Sequence, residues 1–307
     1  MSDTAVTKPA SKPALTIVVP SVNGLHDLIP CCEALAKVCA RTPTEVLVVD
    51  RLGGNIESTI TSRFPWVTFL ALPSASTIPQ MRDRAFRIAS ADAVAVIEDH
   101  VIVPPEWGER LLSSLAEGHD VVGGPIENAA TGRLLDWATF LCEYSACLPP
   151  LPEGGAAWLP GNNIVYRKSV LDRFLSVTAE GAWENRLHDA MRADGVQLIC
   201  KAALLVGHKK HFGFFEYIGQ RFLYSRSYAG ARMRNASTFK RLATGVAAFA
   251  LPPLLLLRIT KSLIAKRVPT ARVLATMPFI GVFVISWGLG EVVGYWLGGG
   301  DALSRVR

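Results

Sequence analysis

The chain has 307 residues, room for about two domains, and 50% of them are hydrophobic while only 19% are charged. That excludes disorder of the whole chain, which needs low hydrophobicity and high net charge. Collagen-like and disulfide-scaffold classes are excluded too, by 25 Gly without a triplet period and only 6 Cys. The net charge is +6, but residues 242–307 hold seven basic side chains against two acidic ones, so +5 sits in the last 66 residues. A basic tail mixed with apolar runs points to a membrane surface rather than to nucleic acid, which would want a basic face on the folded domain.

Residues 1–13 read as a flexible tail. They show basic residues and no apolar core, so no signal peptide is predicted and the globular part is expected in the cytoplasm. The cysteines make no CxxC pair and read as small buried hydrophobes of a reducing compartment. Residues 15–19 form a short β-branched run ended by Pro20, a buried strand. A turn at Asn23-Gly24 and a helix over 28–38 follow. A second strand over 45–50 closes on Asp50, and a helix over 56–64 leads to a third strand at 67–72. Residues 79–89 are predicted helical. A fourth strand at 93–97 ends in Glu98-Asp99-His100, and a helix continues from Trp107.

Continuous apolar strands alternating with helices argue a parallel sheet covered on both faces. Such sheets bind ligands at the carboxyl ends of their strands. Ser21, Asn23, Asp50 and the 98–100 triplet should therefore converge on one crevice. Residues i and i+2 of an extended tip point the same way, so Glu98 and His100 could share a divalent metal. Mg²⁺ or Mn²⁺ fits where a diphosphate supplies further oxygens, and imidazole suits Mn²⁺ better. The bland alternative is a polar strand end without a role.

Later the pattern loosens. Residues 120–124 read as a strand, and the Pro/Gly-rich stretch 148–157 as a mobile loop. A short strand after 163, helices over 169–174 and 184–194, and a late strand over 198–206 complete the globular part. Two apolar stretches follow, 242–257 and 273–290. A spanning helix needs about 20 apolar residues. The second stretch qualifies. The first is short and holds Pro252-Pro253, so a re-entrant or in-plane segment is expected. Trp287, Tyr295 and Trp296 suit an interfacial belt. The basic loop 258–272 and the basic residues before 242 both want the cytoplasm, which a simple two-span hairpin cannot satisfy. A buried soluble helix pair is the rival reading.

The ordered segments TIVVPSVNG, EVLVVDRLGG, IPQMRDRAFRIASADAVAVIEDHVIVPPEWGERLL, WLPGNNIVYRKSVL and AWENRLHDAMRADG resemble family-2 glycosyltransferases of GT-A fold, of the membrane-associated bacterial type, over roughly residues 14–215. The resemblance implies an α/β fold: a GT-A-like, Rossmann-like mixed sheet flanked by helices, followed by a C-terminal membrane-associated helical region. The chain then divides into a tail (1–13), the glycosyltransferase domain (14–215), a basic interfacial helix (216–241), hydrophobic membrane segments (242–298) and a second tail (299–307).

What the resemblance implies residue by residue is a donor site, a metal site and a base. The aspartate that receives the nucleotide base falls on Asp50. Further donor contacts fall on Pro20, Ser21, Asn23, Arg82 and Asp99. Arg82 is followed by Asp83 where the family has Asn. The Asp-x-Asp metal motif falls on 98–100, giving Glu98 and His100 as ligands, with His in place of the second Asp. The catalytic base of an inverting enzyme falls on Glu184. Asn185 stands where an Asp is usual, and Asp189, one turn on, is the other candidate. Trp158, Gly161, Asn162, Asn163 and Trp183 are the acceptor-side candidates. A histidine near His208 and His211 is expected to touch the diphosphate. Gln220-Arg221 and Tyr224-Ser-Arg226 lack the spacing and the Trp of processive synthases, so Arg221, Arg226, Arg232 and Arg234 read instead as a basic face meeting lipid phosphate.

The function expected is metal-dependent transfer, with inversion, from a nucleotide-sugar to a lipid-linked or cell-surface glycan acceptor. Membrane lipids are partners and nucleic acid is not. The place expected is the inner membrane, with the catalytic domain facing the cytoplasm. The rival is a degenerate, non-catalytic nucleotide-sugar-binding or scaffold protein. A dinucleotide oxidoreductase is disfavoured, because no GxGxxG follows the first strand.

Overall fold

The computed structural model describes residues 12–181 and 183–307. The chain divides into two compact units: residues up to Glu127 with Pro149–Lys209, and Asn128–Leu148 with Lys210–Arg307. The α/β unit closes at Lys209, and the excursion 128–148 groups with the C-terminal helices.

In chain order the α/β unit opens with β1 (Leu15–Ser21), α1 (Leu25–Cys39), β2 (Thr44–Asp50), α2 (Ile56–Arg63), β3 (Val67–Ala71), α3 (Ile78–Ile88) and β4 (Ala93–Ile97). The short β5 (Val101–Ile102), α4 (Trp107–Ala116), β6 (Val121–Gly123) and β7 (Ile126–Asn128) follow. Helix α5 (Leu134–Tyr144) lies in the excursion. The chain returns with β8 (Gly154–Ala156), β9 (Asn163–Arg167), α6 (Lys168–Leu171), α7 (Leu175–Ala179), α8 (Glu184–Ala193), β10 (Leu198–Cys200) and β11 (Val206–His208).

The central sheet runs β3-β2-β1-β4-β9-β6-β10-β8, and β5-β11-β7 make a smaller sheet. Strands β1 to β4 are parallel, and β9 is antiparallel to both β4 and β6. The all-parallel expectation therefore holds for the first four strands, of which β1 and β4 are buried along their whole length. Two local expectations are corrected. The stretch 148–157 is not wholly loop: Gly154–Ala156 pair antiparallel with β10 as an edge strand. The late strand is two, because a turn at 201–205 separates β10 from β11.

The helical unit adds α9 (Phe214–Arg232), α10 (Thr238–Ala247), α11 (Leu251–Ala265), α12 (Thr270–Leu297) and α13 (Ala302–Arg305). A 3₁₀ turn at Ala248–Ala250 joins α10 to α11, so Thr238–Ala265 is a continuous helical stretch. Pro252 and Pro253 do not break it. They stand in the first turn of α11, where a missing N–H costs nothing. Among the described residues two helices are long and apolar enough to cross a membrane, Thr238–Ala265 and Thr270–Leu297. The expected basic helix 216–241 is interrupted at 233–237. Arg221 is buried, paired with Glu143 at 3.0 Å and ringed by Tyr217, Tyr224 and Trp287, so it offers nothing to a lipid phosphate.

Candidate active site

Strand register brings the candidate residues together. In the β1–β2 pair Ser21 lies opposite Asp50, and the Ser21 hydroxyl donates to Asp50 Oδ1 at 2.7 Å. In the antiparallel β4–β9 pair Ile97 lies opposite Asn163. The residue after β4, Glu98, must then meet the residue before β9, Asn162. Its amide donates to Glu98 Oε2 at 2.8 Å. In the β5–β11 pair His208 lies opposite Val101, beside His100.

The result is a cluster of Glu98, His100 and His208 whose ligand atoms all lie within 4.8 Å of one another. The two Nε2 atoms of the histidines face each other at 2.9 Å. His100 Nδ1 lies 2.9 Å from Asp99 Oδ1, which fixes the ring and leaves Nε2 turned to the cluster. Burial works against charge on His100, but Asp99 and then Glu98 outweigh it and hold its pKa at about 9. Burial likewise disfavours ionised Glu98, yet His100, His208 and Arg82 together hold it well below the ordinary carboxylate range.

Arg82 extends the site. A capping box at Thr77 and Gln80 starts α3, and the buried face of that helix carries Arg82 inward. Its Nη1 donates to Glu184 Oε2 at 2.8 Å, and its Nη2 lies 3.9 Å from Glu98 Oε1. One buried guanidinium thus bridges the cluster to the expected base. Glu184 opens α8 and packs over Gly161, where a Cβ would come within 2.5 Å of the Glu184 side chain. A cleft lined by Arg82, Gly161, Tyr166, Thr178 and Glu184 lies here.

Other expected residues play different parts. Asp99 does not face the cleft: it is fully buried and accepts from the Val22 and Asn23 backbone amides at 2.8 and 2.9 Å and from the Asn23 side chain at 2.8 Å. It clamps the loop after β1 to the end of β4. Asn163 is not on an acceptor surface. It is fully buried, donates to Pro125 O and Leu204 O, and accepts from Trp107 Nε1, stitching three segments together. Pro20 is buried within β1, opposite Val49. Asp189 is exposed and lies near Arg192. Five residues of helix place it about 140° round α8 from Glu184, away from Arg82. Asp50 also accepts from Leu52 N and Gly53 N, shaping the turn after β2. Trp183 is buried at the start of α8, while Trp158 is 47% exposed. His211 does not join His208; it pairs with Asp136 at 2.9 Å within the helical unit.

The sequence puts a histidine here at the diphosphate and does not show that His208 joins Glu98 and His100 in one cluster. The available signal was a histidine ending a short late strand. What it needed was the β5–β11 register. The cysteines are inert: among the six, five are buried, and burial pushes Cys32 and Cys142 up to about 12.

The fold is GT-A-like, and comparison with known proteins agrees. Residues 16–173 match the model of glycosyl transferase family 2. The chain belongs to that family. It is 25% identical over 134 residues to human "Probable polypeptide N-acetylgalactosaminyltransferase 8", a match covering 39% of this chain and 21% of that protein, so the chain spans about a fifth of that relative. In fold it is similar to a mannosyltransferase from Pyrobaculum calidifontis solved with GDP-Man and Mn²⁺, at TM-score 0.53 and 16% identity, covering 94% of this chain and 89% of that one.

Proposed function

We propose that this chain is a metal-dependent glycosyltransferase that moves a sugar from a nucleotide-sugar to a lipid-linked or cell-surface glycan acceptor at the inner membrane face. The observation that carries the reading is the Glu98–His100–His208 cluster, bridged by Arg82 to Glu184. Two imidazoles and a carboxylate suit Mn²⁺ better than Mg²⁺. A divalent ion held by these three residues would neutralise charge developing on the departing diphosphate.

The chain's own residues do the rest. Asp99 holds His100 and the loop after β1 in one piece, so the cluster is rigid before donor arrives. Asn162 orients Glu98. Asp50, with Ser21, stands at the end of β2 for the nucleotide base. Arg82 keeps the Glu184 carboxylate aimed at the cleft. Glu184 takes the proton from the acceptor hydroxyl as it attacks the anomeric carbon, which inverts the sugar centre. Asn185 leaves that task to Glu184 alone. The apolar surface of the helical unit supports membrane attachment and hence an acceptor presented there.

The test is nucleoside diphosphate release from UDP-, GDP- and dTDP-sugars with Mn²⁺ or Mg²⁺, membrane lipid extract serving as acceptor. One donor should turn over with Mn²⁺, and the product's anomeric coupling should be inverted. Glu184→Gln should keep donor binding and lose transfer. Donor binding without any release would favour the non-catalytic reading, and a retained anomer would remove Glu184 as base.

A further inference from the structure

The helical unit carries a distinctive surface. Beyond Thr270 at its start, the exposed positions along α12 are apolar and form one helical stripe, marked by Leu274, Val282, Ile285, Leu289 and Trp296. It runs about 33 Å at 1.5 Å per residue. The other helical stretch exposes Leu242, Val246, Phe249, Leu254 and Leu257, with Lys240 before and Arg258 and Lys261 after.

Contacts fix the level of each partner along α12. The α10–α11 stretch runs antiparallel to it, with Trp296 Nε1 donating to Leu242 O, and Pro252 against Gly288. Thr260 meets Met277. The charge-free part of this stretch therefore lies level with about residues 281–298 of α12. Helix α9 runs parallel to the same portion: Phe214 packs on Phe279 and Phe283, Ser286 donates to Ile218 O, and Gly290 and Gly294 sit against the backbone of Phe222 and Arg226. That helix carries Glu216, Arg221, Arg226 and Arg232. After α13 the chain folds back, so that Arg307 N donates to Gln220 Oε1 and Gln220 Nε2 reaches Arg305 O. Gln220 lies between the residues level with 286 and 290, about 7 Å from the middle of α12.

A hairpin spanning the bilayer would put its charge-free window in the hydrocarbon. The same window is where Arg221 and Arg226 of α9 and the basic C-terminal segment lie. Backbone and charge at that depth have no water to meet. We infer that α10, α11 and α12 form a monotopic anchor, lying in one leaflet with the apolar stripes in the acyl boundary and the flanking lysines and arginines on anionic lipid phosphates. This rests on the membrane attachment proposed above and changes its topology: both ends of the hairpin stay on one side.

The test uses the full chain in bacterial membranes, with Arg234→Cys before α10 and Arg267→Cys at the hairpin tip. A membrane-impermeant maleimide is applied to spheroplasts and to inside-out vesicles, with the parent chain as background. Both sites should label from the same side. Labelling from opposite sides would overturn the monotopic arrangement and leave membrane attachment standing. In parallel, purified protein is floated with vesicles of phosphatidylcholine and phosphatidylglycerol. Binding should fall at least tenfold in Ile285→Glu with the circular dichroism of the parent. No flotation of the parent would overturn attachment and the anchor together.

Discussion

The two units bury opposite things. In the α/β unit the apolar strands are inside and polar residues collect at the strand ends. Among its described residues only Leu52 and Trp158 are large exposed hydrophobics. In the helical unit the arrangement is reversed along two stripes: leucines, valines and phenylalanines face out, while Arg221 is closed inside against Glu143. Glu291 is also inside, accepting from Tyr295. In the first unit buried Arg82 lines a cleft while buried Asp99 clamps a loop; in the second, buried Arg221 is matched by Glu143. Polar burial alone therefore does not mark chemistry. What separates the two is whether ligand atoms converge on a shared point.

The sharpest way to break this contrast is to remove one converging ligand. Glu98→Ala or His208→Ala should lower donor turnover roughly 10³-fold, the upper end for one electrostatic group, with unfolding unchanged by circular dichroism. Next comes a pair in α12. A Cβ at Gly290 would meet Ser225 Oγ at 2.0 Å and Phe222 O at 2.4 Å, while one at Gly281 meets nothing. Gly290→Ala should cost about 1–3 kcal/mol by overpacking. Gly281→Ala should be stabilising by up to about 1 kcal/mol. Thermal unfolding in detergent reads both. Asp99→Asn should weaken Mn²⁺ binding about 10–100-fold through loss of the orienting partner, with donor contacts spared. The smallest effect is expected at Asp189→Asn, whose turnover should match the parent because its side chain points away from Arg82.

How much of this was legible is best seen at particular residues. Ser21, Asp50 and Glu98 were legible because apolar runs fix where strands stop, and parallel strands stop at one edge. Asp99 and Asn163 were legible as polar residues beside strand ends, but not that both are fully buried and spend their hydrogen bonds on neighbouring backbone. Chain position says which residue ends a strand and not where its side chain turns. His208 needed a pairing 108 residues apart. The prolines of α11 read as breakers in the sequence, which does not say which turn of a helix holds them. In the helical unit, composition announced an apolar surface, but the parallel course of α9 along α12 was invisible to it.

A pH measurement sharpens the same point inside the α/β unit. Burial pushes His188 down to about 4, with Glu184 opposing and Arg82 assisting. The unfolded chain then binds more protons than the folded one between about 6.5 and 4. Stability should be full above 6.5 and fall as pH drops through that window. Substituting His188→Gln should flatten the slope.

The most direct measurement is electron paramagnetic resonance of Mn²⁺ added to the purified chain, with and without a nucleoside diphosphate. The sharp signal of hydrated Mn²⁺ should vanish with the parent and with Asp189→Asn, and persist with Glu98→Ala and His208→Ala. A parent that leaves the hydrated signal intact even with nucleotide present, or a His208→Ala chain that binds as the parent does, would contradict the assignment of the Glu98–His100–His208 cluster as the metal and donor site.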